Sequence, residues 1–188
     1  MEKLILKGVS EIVGTEELGL LILTDEASKR QITVVCDKAI AVQVELRIKR
    51  MPLAGIMLPE VLCRVLDTHG TPRFELHIDD IIDGQYRTLL YDSFTLEKRL
   101  IRTSDAVLLS VAGGVPIFID SQLMKRQSVP YDRHARGVSL PVNTISDEML
   151  QAAFDKAVAD ENYELASHLR DEKKRRENAK GDKTITNQ

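Results

Sequence analysis

The stretch FELHIDDIIDGQYRTLLY, residues 74–91, decides the fold class. Apolar and polar side chains alternate from Phe74 to Asp79, which is typical of a β-strand with one buried face. Asp83-Gly84 is the strongest signal for a tight hairpin turn in the chain. Residues 86–91 then supply the aromatic and aliphatic side chains of a returning strand. The sequence therefore predicts a β-hairpin at the centre of the chain.

Strands and helices are also predicted before the hairpin. Apolar runs at 4–6, 20–23 and 32–35, separated by polar breaks, predict a three-stranded meander. Asp37 is placed to cap a helix whose apolar residues recur at helical spacing, and Pro52 ends it. Pro59 suits the first turn of a second helix. The predicted buried face of that helix carries Val61, Leu62, Val65 and Leu66.

Beyond the hairpin, residues 94–99 and 116–119 predict two more strands. Between them, Thr103 or Ser104 caps a helix that Gly113-Gly114 ends. The predicted core consists of residues on the apolar faces of these elements: Ile40, Val44, Leu62, Leu66, Phe74, Leu76, Val107 and Phe118.

The C-terminal part of the chain differs from this domain, which is predicted over residues 1–125. Residues 126–144 show no period and contain two prolines, which predicts a linker. Residues 145–178 predict an α-helical hairpin, and residues 179–188 a polar tail. Such a hairpin is expected to be stable only when docked on its domain, a second subunit or a partner. Two apolar stripes should face each other across its turn: Met149, Leu150, Ala153, Phe154 and Ala157 on one helix, and Tyr163, Ala166 and Leu169 on the other.

The composition is that of a globular protein, with 43% hydrophobic and 29% charged residues over 188 positions and a net charge of −3. This balance excludes a globally basic nucleic-acid coat protein. Cys36 and Cys63 are too few for a disulfide framework and suit a reducing compartment. No signal-peptide core follows Met1, and the longest uncharged apolar stretch, 106–119, is too short for a membrane span. We therefore expect a cytoplasmic protein that does not enter the membrane.

Two groups of side chains were weighed as metal ligands. The histidines, at positions 69, 77, 134 and 168, show none of the spacings of a zinc site. Asp79, Asp80 and Asp83 lie together beside the predicted turn, and such oxygen-rich clusters suit Mg²⁺ or Ca²⁺. A solvated strand end before an Asp-Gly turn explains the same three residues without a metal.

The segment of greatest chemical interest is Arg102-Thr103-Ser104-Asp105, where a strand gives way to a helix. The free N–H groups of a helix N-terminus attract phosphate oxygens, and a guanidinium binds phosphate through two N–H groups. Asp105 can orient a water molecule, hold a metal or pair with Arg102. A cap at Ser104 with a neighbouring ion pair explains the segment without a ligand. Spacing alone leaves both interpretations open.

Residues 102–107, followed by residues 114–119, resemble the bifunctional nuclease family. Its members carry Arg-Pro-Ser-Asp-Ala-Ile and then Gly-x-Pro-Ile-Phe-Val, and the likeness in element order runs from about residue 4 to about residue 125. The resemblance implies an α+β domain with a mixed or antiparallel sheet and flanking helices. Such a domain forms a homo-oligomer and cleaves RNA and DNA. It also implies catalytic roles for three residues. Arg102 would clamp the phosphate, Asp105 would hold a divalent ion (Mg²⁺ or Ca²⁺) or position the attacking water, and Ser104 would orient them.

Two departures from the family pattern affect the expected activity. The family's Arg-Pro-Leu-Thr-His-Asp stretch is here Arg-Met-Pro-Leu-Ala-Gly-Ile, residues 50–56, without the His-Asp pair. The polar residue expected after an early Ile-Gly element is replaced by Cys36-Asp37-Lys38. If the missing pair transferred protons or held a metal, nuclease activity is expected to be impaired.

The C-terminal segment resembles the UVR motif of excision-repair helicase and nuclease subunits, which is a protein–protein contact element. The residues expected to bind a protein partner are Tyr163, Glu164, Ala166, Leu169, Arg170 and Asp171. Two functions follow from the sequence. The first is a nuclease acting on RNA and DNA. The alternative is a non-catalytic adaptor that binds a DNA-repair or stress-response partner through the hairpin.

Overall fold

The computed structural model describes residues 1–11, 17–66, 73–82 and 84–132, and helical positions between 151 and 174. The chain divides into two compact units, Met1–Ser139 and Leu140–Gln188. The first unit opens with the predicted antiparallel meander of β1 (Glu2–Glu11), β2 (Leu18–Asp25) and β3 (Arg30–Asp37).

The predicted central hairpin is formed by β4 (Phe74–Ile82) and β5 (Gln85–Asp92), which pair antiparallel. Leu76 and Ile78 are buried on one face of the sheet, as the alternation requires. In the turn, Gly84 takes a φ of +78°, a conformation that glycine adopts without a steric penalty. Asp83 lies outside the described residues.

The strand predicted over residues 94–99 begins later in the structure, as β6 (Lys98–Ile101) beside β5. Phe94 lies in a turn instead, because the Asp92 carboxylate accepts hydrogen bonds from the backbone N–H groups of Phe94 (2.9 Å) and Thr95 (3.3 Å). This side chain closes the turn locally, which competes with extension of the strand.

The eight strands form one mixed sheet in the order β6-β5-β4-β7-β1-β2-β3-β8. The short strand β7 (Ile117–Ile119) lies between β4, to which it is parallel, and β1, to which it is antiparallel. After α4 (Ser121–Gln127), β8 (Val129–Pro130) pairs with β3 at the other edge. Neither α4 nor β8 was predicted, and the regular structure continues to Pro130, inside the segment predicted as a linker.

The other helices are α1 (Lys38–Ile48), α2 (Leu58–Leu66) and α3 (Thr103–Gly113), with a 3₁₀ helix over Pro52–Ile56. Together with the sheet they confirm the α+β class. Four predicted core residues are buried: Ile40, Val44, Leu76 and Val107. Phe74 and Phe118 are half-buried, and the side chain of Leu66 lies outside the described residues.

The prediction that Leu62 belongs to the core is wrong, since this residue is 45% exposed. The inner side of α2 is polar instead. Glu60 accepts a hydrogen bond from Arg47 (2.6 Å), and both side chains are nearly buried. Cys63 lies against Gly113 of α3, where a Cβ would overlap it. The absence of a side chain on Gly113 therefore allows α2 and α3 to approach this closely.

In the second unit the described positions are all helical, and Lys173 Nζ donates to Gln151 Oε1 (2.6 Å). The turn expected near residues 160–162 lies outside the described residues, so the hairpin stays a prediction. Within the part of the chain that is described, no helix has the length and apolar character needed to cross a bilayer.

Candidate functional site

The candidate site lies where β6 ends and α3 begins. Arg102 is the N-cap residue of α3 in extended conformation, and no side chain caps the helix. The expectation that Thr103 or Ser104 caps it is therefore wrong. Both residues are buried, and the Thr103 hydroxyl donates to the Tyr86 carbonyl oxygen (2.9 Å). The hydroxyl that would have capped the helix anchors it to β5 instead.

Arg102 and Asp105 form a two-point ion pair at this junction. Nε of Arg102 donates to Oδ2 of Asp105 (2.9 Å), and Nη2 donates to Oδ1 (3.1 Å). The side chain of Arg102 is 56% exposed and that of Asp105 is 41% exposed. The expectation that Arg102 and Asp105 lie within reach of one another at a concave, partly exposed surface is confirmed for their contact and for their partial exposure. The first turn of α3 brings Arg102 and Asp105 together, because residues three apart in a helix are neighbours.

Asp37 is a third member of the cluster and was not predicted to be one. Nη1 of Arg102 donates to Oδ2 of Asp37 (2.6 Å). Asp37 occupies the N-cap position of α1, as expected, but its side chain makes no capping hydrogen bond. One feature of the sequence pointed to this position: the family carries a polar residue where this chain has Cys36-Asp37-Lys38. Arg102, Asp105 and Asp37 are called the Arg102 cluster below.

The electrostatics of the Arg102 cluster keep the guanidinium charged. Its hydrogen bonds with Asp105, and then with Asp37, raise the pKa of Arg102 above its usual range. An arginine side chain has five N–H donors, and these carboxylates take three of them. The remaining two, on an exposed side chain, can bind an anionic oxygen. The formal charges of the three side chains, +1 for Arg102 and −1 each for Asp37 and Asp105, sum to −1.

Cys36 lies next to Asp37, but its thiol does not act as a nucleophile at neutral pH. Burial, and then the Asp37 charge, raise the pKa of Cys36 to about 11. Its thiol is therefore protonated at neutral pH, and the thiolate is the nucleophilic form of cysteine. The reactive groups available at this site are a guanidinium and two carboxylates.

Among the described residues of the central hairpin, the carboxylates of Asp79 and Asp80 accept hydrogen bonds from groups of the same hairpin. The Asp79 carboxylate accepts hydrogen bonds from Nε (2.8 Å) and Nη2 (2.7 Å) of Arg87. The Asp80 carboxylate accepts a hydrogen bond from the backbone N–H of Ile81 (2.8 Å). Asp83 lies outside the described residues. Across the described residues, no group of three or more His, Cys, Asp or Glu side chains lies together as metal ligands do.

The residues expected to bind a partner are only partly described. Tyr163, Arg170 and Asp171 are exposed, Ala166 is buried, and Glu164 and Leu169 lie outside the described residues. The expectation that Tyr163 packs within the apolar stripe is wrong.

Comparison with known families identifies the first unit. The model of the bifunctional nuclease domain matches residues 21–132, which include the whole Arg102 cluster. Comparison with curated proteins gives no match. The matched segment covers more than half of the chain and includes the junction of β6 and α3 that carries Arg102 and Asp105. The chain therefore belongs to the bifunctional nuclease domain family.

Proposed function

We propose that the protein hydrolyses phosphodiester bonds in RNA and DNA at the Arg102 cluster. The observation that carries this proposal is the exposed guanidinium held by two carboxylates at the start of α3, inside a bifunctional nuclease domain. Exposure admits a polymeric substrate, and an arginine recognises phosphate through paired N–H groups. The free N–H groups of the first turn of α3 add to the attraction for a phosphate oxygen.

Arg102 is the residue that binds the scissile phosphate. Asp105 and Asp37 hold its guanidinium from two sides, so little reorganisation is needed when negative charge develops on the phosphate oxygens. This preorganisation distinguishes Arg102 from a mobile surface arginine. The two N–H donors that the carboxylates leave are the ones that meet the phosphate.

Asp105 positions the attacking water. One of its oxygens can accept a hydrogen bond from water while the carboxylate keeps its contacts with Arg102, since each carboxylate oxygen has two lone pairs. This arrangement aligns water with the phosphate that Arg102 binds. Ser104 is buried, so its part is to hold the first turn of α3 in place rather than to touch the substrate.

The chemistry of the carboxylates fits Mg²⁺ better than Ca²⁺. Calcium takes six to eight oxygen ligands, whereas Mg²⁺ is commonly held by one or two carboxylates together with substrate phosphates. Asp37 and Asp105 would supply those carboxylates. When bound, Mg²⁺ neutralises charge on the phosphate oxygens.

The test compares Asp105→Asn with Asp79→Asn on labelled single-stranded RNA and DNA, with Mg²⁺ and with a chelator. Asp79 makes the same two-point pair with Arg87, so its substitution controls for the loss of an ion pair. We expect Asp105→Asn to lower the cleavage rate by about 10²–10³-fold and Asp79→Asn to change it less than about twofold. Equal activity of Asp105→Asn and wild type would rule out the assigned role.

The second candidate function is that of an adaptor, and two observations favour it. The carboxylates of the Arg102 cluster outnumber its cation, which opposes phosphate binding. Tyr163 and Arg170 are exposed, and both lie outside the matched family segment. A wild-type protein that cleaves neither RNA nor DNA, yet binds a repair-nuclease subunit only when residues 145–188 are present, would establish the adaptor. Either activity is proposed for the cytoplasm, since Cys36 and Cys63 are both free thiols.

A further inference from the structure

The sheet has a second face, opposite the one that packs against the helices. Leu76 of β4 and Ile117 of β7 are buried in a core to which α1 and α3 also contribute. Their neighbours in the chain, His77 and Phe118, point the other way, because successive side chains of a strand alternate between the two faces. This alternation explains why Phe118 is only half-buried. The side that carries His77 and Phe118 is called the outer face below.

Three aromatic rings lie side by side on the outer face, one on each of three neighbouring strands. The rings of His77 on β4 and Tyr91 on β5 are stacked, with centroids 5.5 Å apart and planes 22° from parallel. The ring of Phe118 on β7 meets that of His77 edge to face at 5.8 Å. Glu75 accepts a hydrogen bond from Nε2 of His77 (2.8 Å), which fixes the central ring and occupies that carboxylate. The three rings are called the aromatic row, and it crosses about 10 Å of the sheet.

The strand register places one lysine at each end of the aromatic row. Lys98 on β6 is the cross-strand partner of Tyr91, and Lys3 on β1 is the partner of Phe118. Partners directly opposite each other in antiparallel strands lie on the same face. Both lysines are exposed, and Nζ of Lys3 lies 3.6 Å from Oε1 of Glu26. The outer face therefore offers rings in its middle and a cation at either end.

Two apolar side chains show that the surroundings of the aromatic row are accessible. Leu100 on the edge strand β6 is 75% exposed, and Ile5 on β1 is 37% exposed. Both have the same alternation as the lysines two residues before them, so both lie on the outer face. A ligand can therefore reach the row from the β6 edge and from the β1 side.

We propose that the outer face binds single-stranded nucleic acid, with bases stacked on the aromatic row and phosphates bound by Lys98 and Lys3. Every base has a flat ring that stacks on an aromatic side chain, and surfaces that bind single strands combine such rings with cations for the backbone. A sheet with aromatic residues on its central strands stacks two or three bases in this way. The bases of a duplex are already stacked on each other, so the row selects a single strand.

The outer face leads to the Arg102 cluster, and the choice of nucleic acid as the ligand rests on the proposed nuclease function. Lys98 begins β6, and Arg102 follows the last residue of this strand. At about 3.3 Å per residue the two positions are about 13 Å apart. About four stacked nucleotides span that length at about 3.4 Å each. A chain whose scissile phosphate lies at Arg102 can therefore place its flanking bases on the aromatic row.

The first experiment tests base stacking by fluorescence anisotropy on the full chain, with a chelator present. It compares a labelled short oligothymidylate with an abasic oligonucleotide that carries the same number of phosphates. We expect wild type to bind the oligothymidylate at least about fivefold more tightly. Tyr91→Leu keeps an apolar side chain but removes the ring, so it should abolish this difference, whereas Tyr91→Phe should keep it.

Tyr131→Leu is the matched control, because Tyr131 is also half-buried and follows β8 at the other edge of the sheet. This variant should retain the preference for the oligothymidylate. Equal binding of the two oligonucleotides by wild type, or a Tyr91→Leu variant that binds like wild type, would overturn the proposal. Tighter binding of a duplex than of the oligothymidylate would overturn it as well.

The second experiment tests the phosphate contact through its dependence on salt. Each phosphate that a single strand loses to a protein cation changes the slope of log affinity against log salt by about 0.7. We expect Lys98→Gln to lower the slope by about 0.7. Lys49→Gln should leave the slope unchanged, since Lys49 is exposed at the end of α1 and pairs with Glu45. Equal slopes for Lys98→Gln and wild type would contradict the proposed path of the strand.

The outer face and the nuclease activity can fail separately. A wild-type protein that binds oligothymidylate through Tyr91 but does not cleave it would keep the binding surface and remove the nuclease. Cleavage that Tyr91→Leu retains with an unchanged KM would keep the nuclease and remove the binding surface. Tyr91-dependent binding of lipid vesicles or of a protein, without binding of oligothymidylate, would also overturn the proposal.

Discussion

Arg102 and Asp37 lie 65 residues apart in the sequence, and Nη1 of Arg102 donates to Oδ2 of Asp37 across 2.6 Å. This contact joins the end of β3 to the start of α3. It makes the site a product of two distant segments, one of which also starts α1. Asp37 orients the guanidinium and at the same time lowers the positive potential that a phosphate would meet.

Removing the charge of Asp37 is therefore expected to strengthen phosphate binding. The net charge of the Arg102 cluster rises from −1 to zero in Asp37→Asn. For an exposed pair we expect about two- to fivefold tighter binding of labelled single-stranded DNA in the presence of a chelator, measured by fluorescence anisotropy. Asp79→Asn makes the same change of charge at another site and serves as the control. Weaker binding by Asp37→Asn would show that Asp37 contributes to substrate binding directly.

The hydroxyl pair beneath α3 is expected to stabilise the fold. Thr103 Oγ1 donates to the Tyr86 carbonyl oxygen, so the Thr88 hydroxyl, 2.8 Å away, donates to Thr103. Thr103→Val leaves buried polar groups unpaired and should lower the free energy of unfolding by about 1–3 kcal/mol. Urea denaturation measures this loss. The double variant with Thr88→Val should lose less than the sum of the single variants, and strict additivity would contradict the hydrogen bond.

Asp92, in the turn between β5 and β6, should make the free energy of unfolding depend on pH at acidic pH. Hydrogen bonds from Arg73, and then from the N–H groups of Phe94 and Thr95, hold the pKa of Asp92 well below its usual range. The contribution of the Asp92 carboxylate to the free energy of unfolding is complete above the ordinary carboxyl pKa of about 3.9. It is lost as the pH falls toward the lower pKa that Asp92 has in the folded protein. The stability difference between wild type and Asp92→Asn should therefore narrow between pH 5 and pH 3. A constant difference across this range would contradict the assignment.

The buried thiol of Cys36 should resist modification. With a pKa of about 11, about one thiol in a thousand is ionised at pH 8, and burial further limits access. We expect one of the two cysteines to react with a disulfide reagent only after denaturation. Cys36→Ser identifies which one, because it should abolish the reaction that appears only on denaturation. Rapid reaction of Cys36 in the native protein would show that the end of β3 opens readily.

Local patterns were sufficient to predict most of the secondary structure. Alternation from Phe74 to Asp79 predicted β4, and the short apolar runs before Val35 predicted the meander, because the period of a strand is written into neighbouring residues. Such patterns could not predict β8, because a strand of two residues shows no alternation. These two residues pair with β3 at the edge of the sheet. It also extended β6 to Phe94, where the Asp92 side chain closes a turn instead.

The pair of Arg102 with Asp105 could also be expected from sequence, because one helical turn separates them. The position of Asp37 in the same cluster could not, since sheet pairing and helix packing alone bring β3 to α3. The outward side of α2 is a second case. The apolar residues of α2 recur at helical spacing, which shows that the two sides of the helix differ. The spacing does not show which side packs against the core. The sequence by itself determined most of the strands and helices and the ion pair at the start of α3. The tertiary structure decided that Gly113 receives Cys63, that Leu62 faces outward and that Asp37 meets Arg102, because these contacts depend on where distant segments pack.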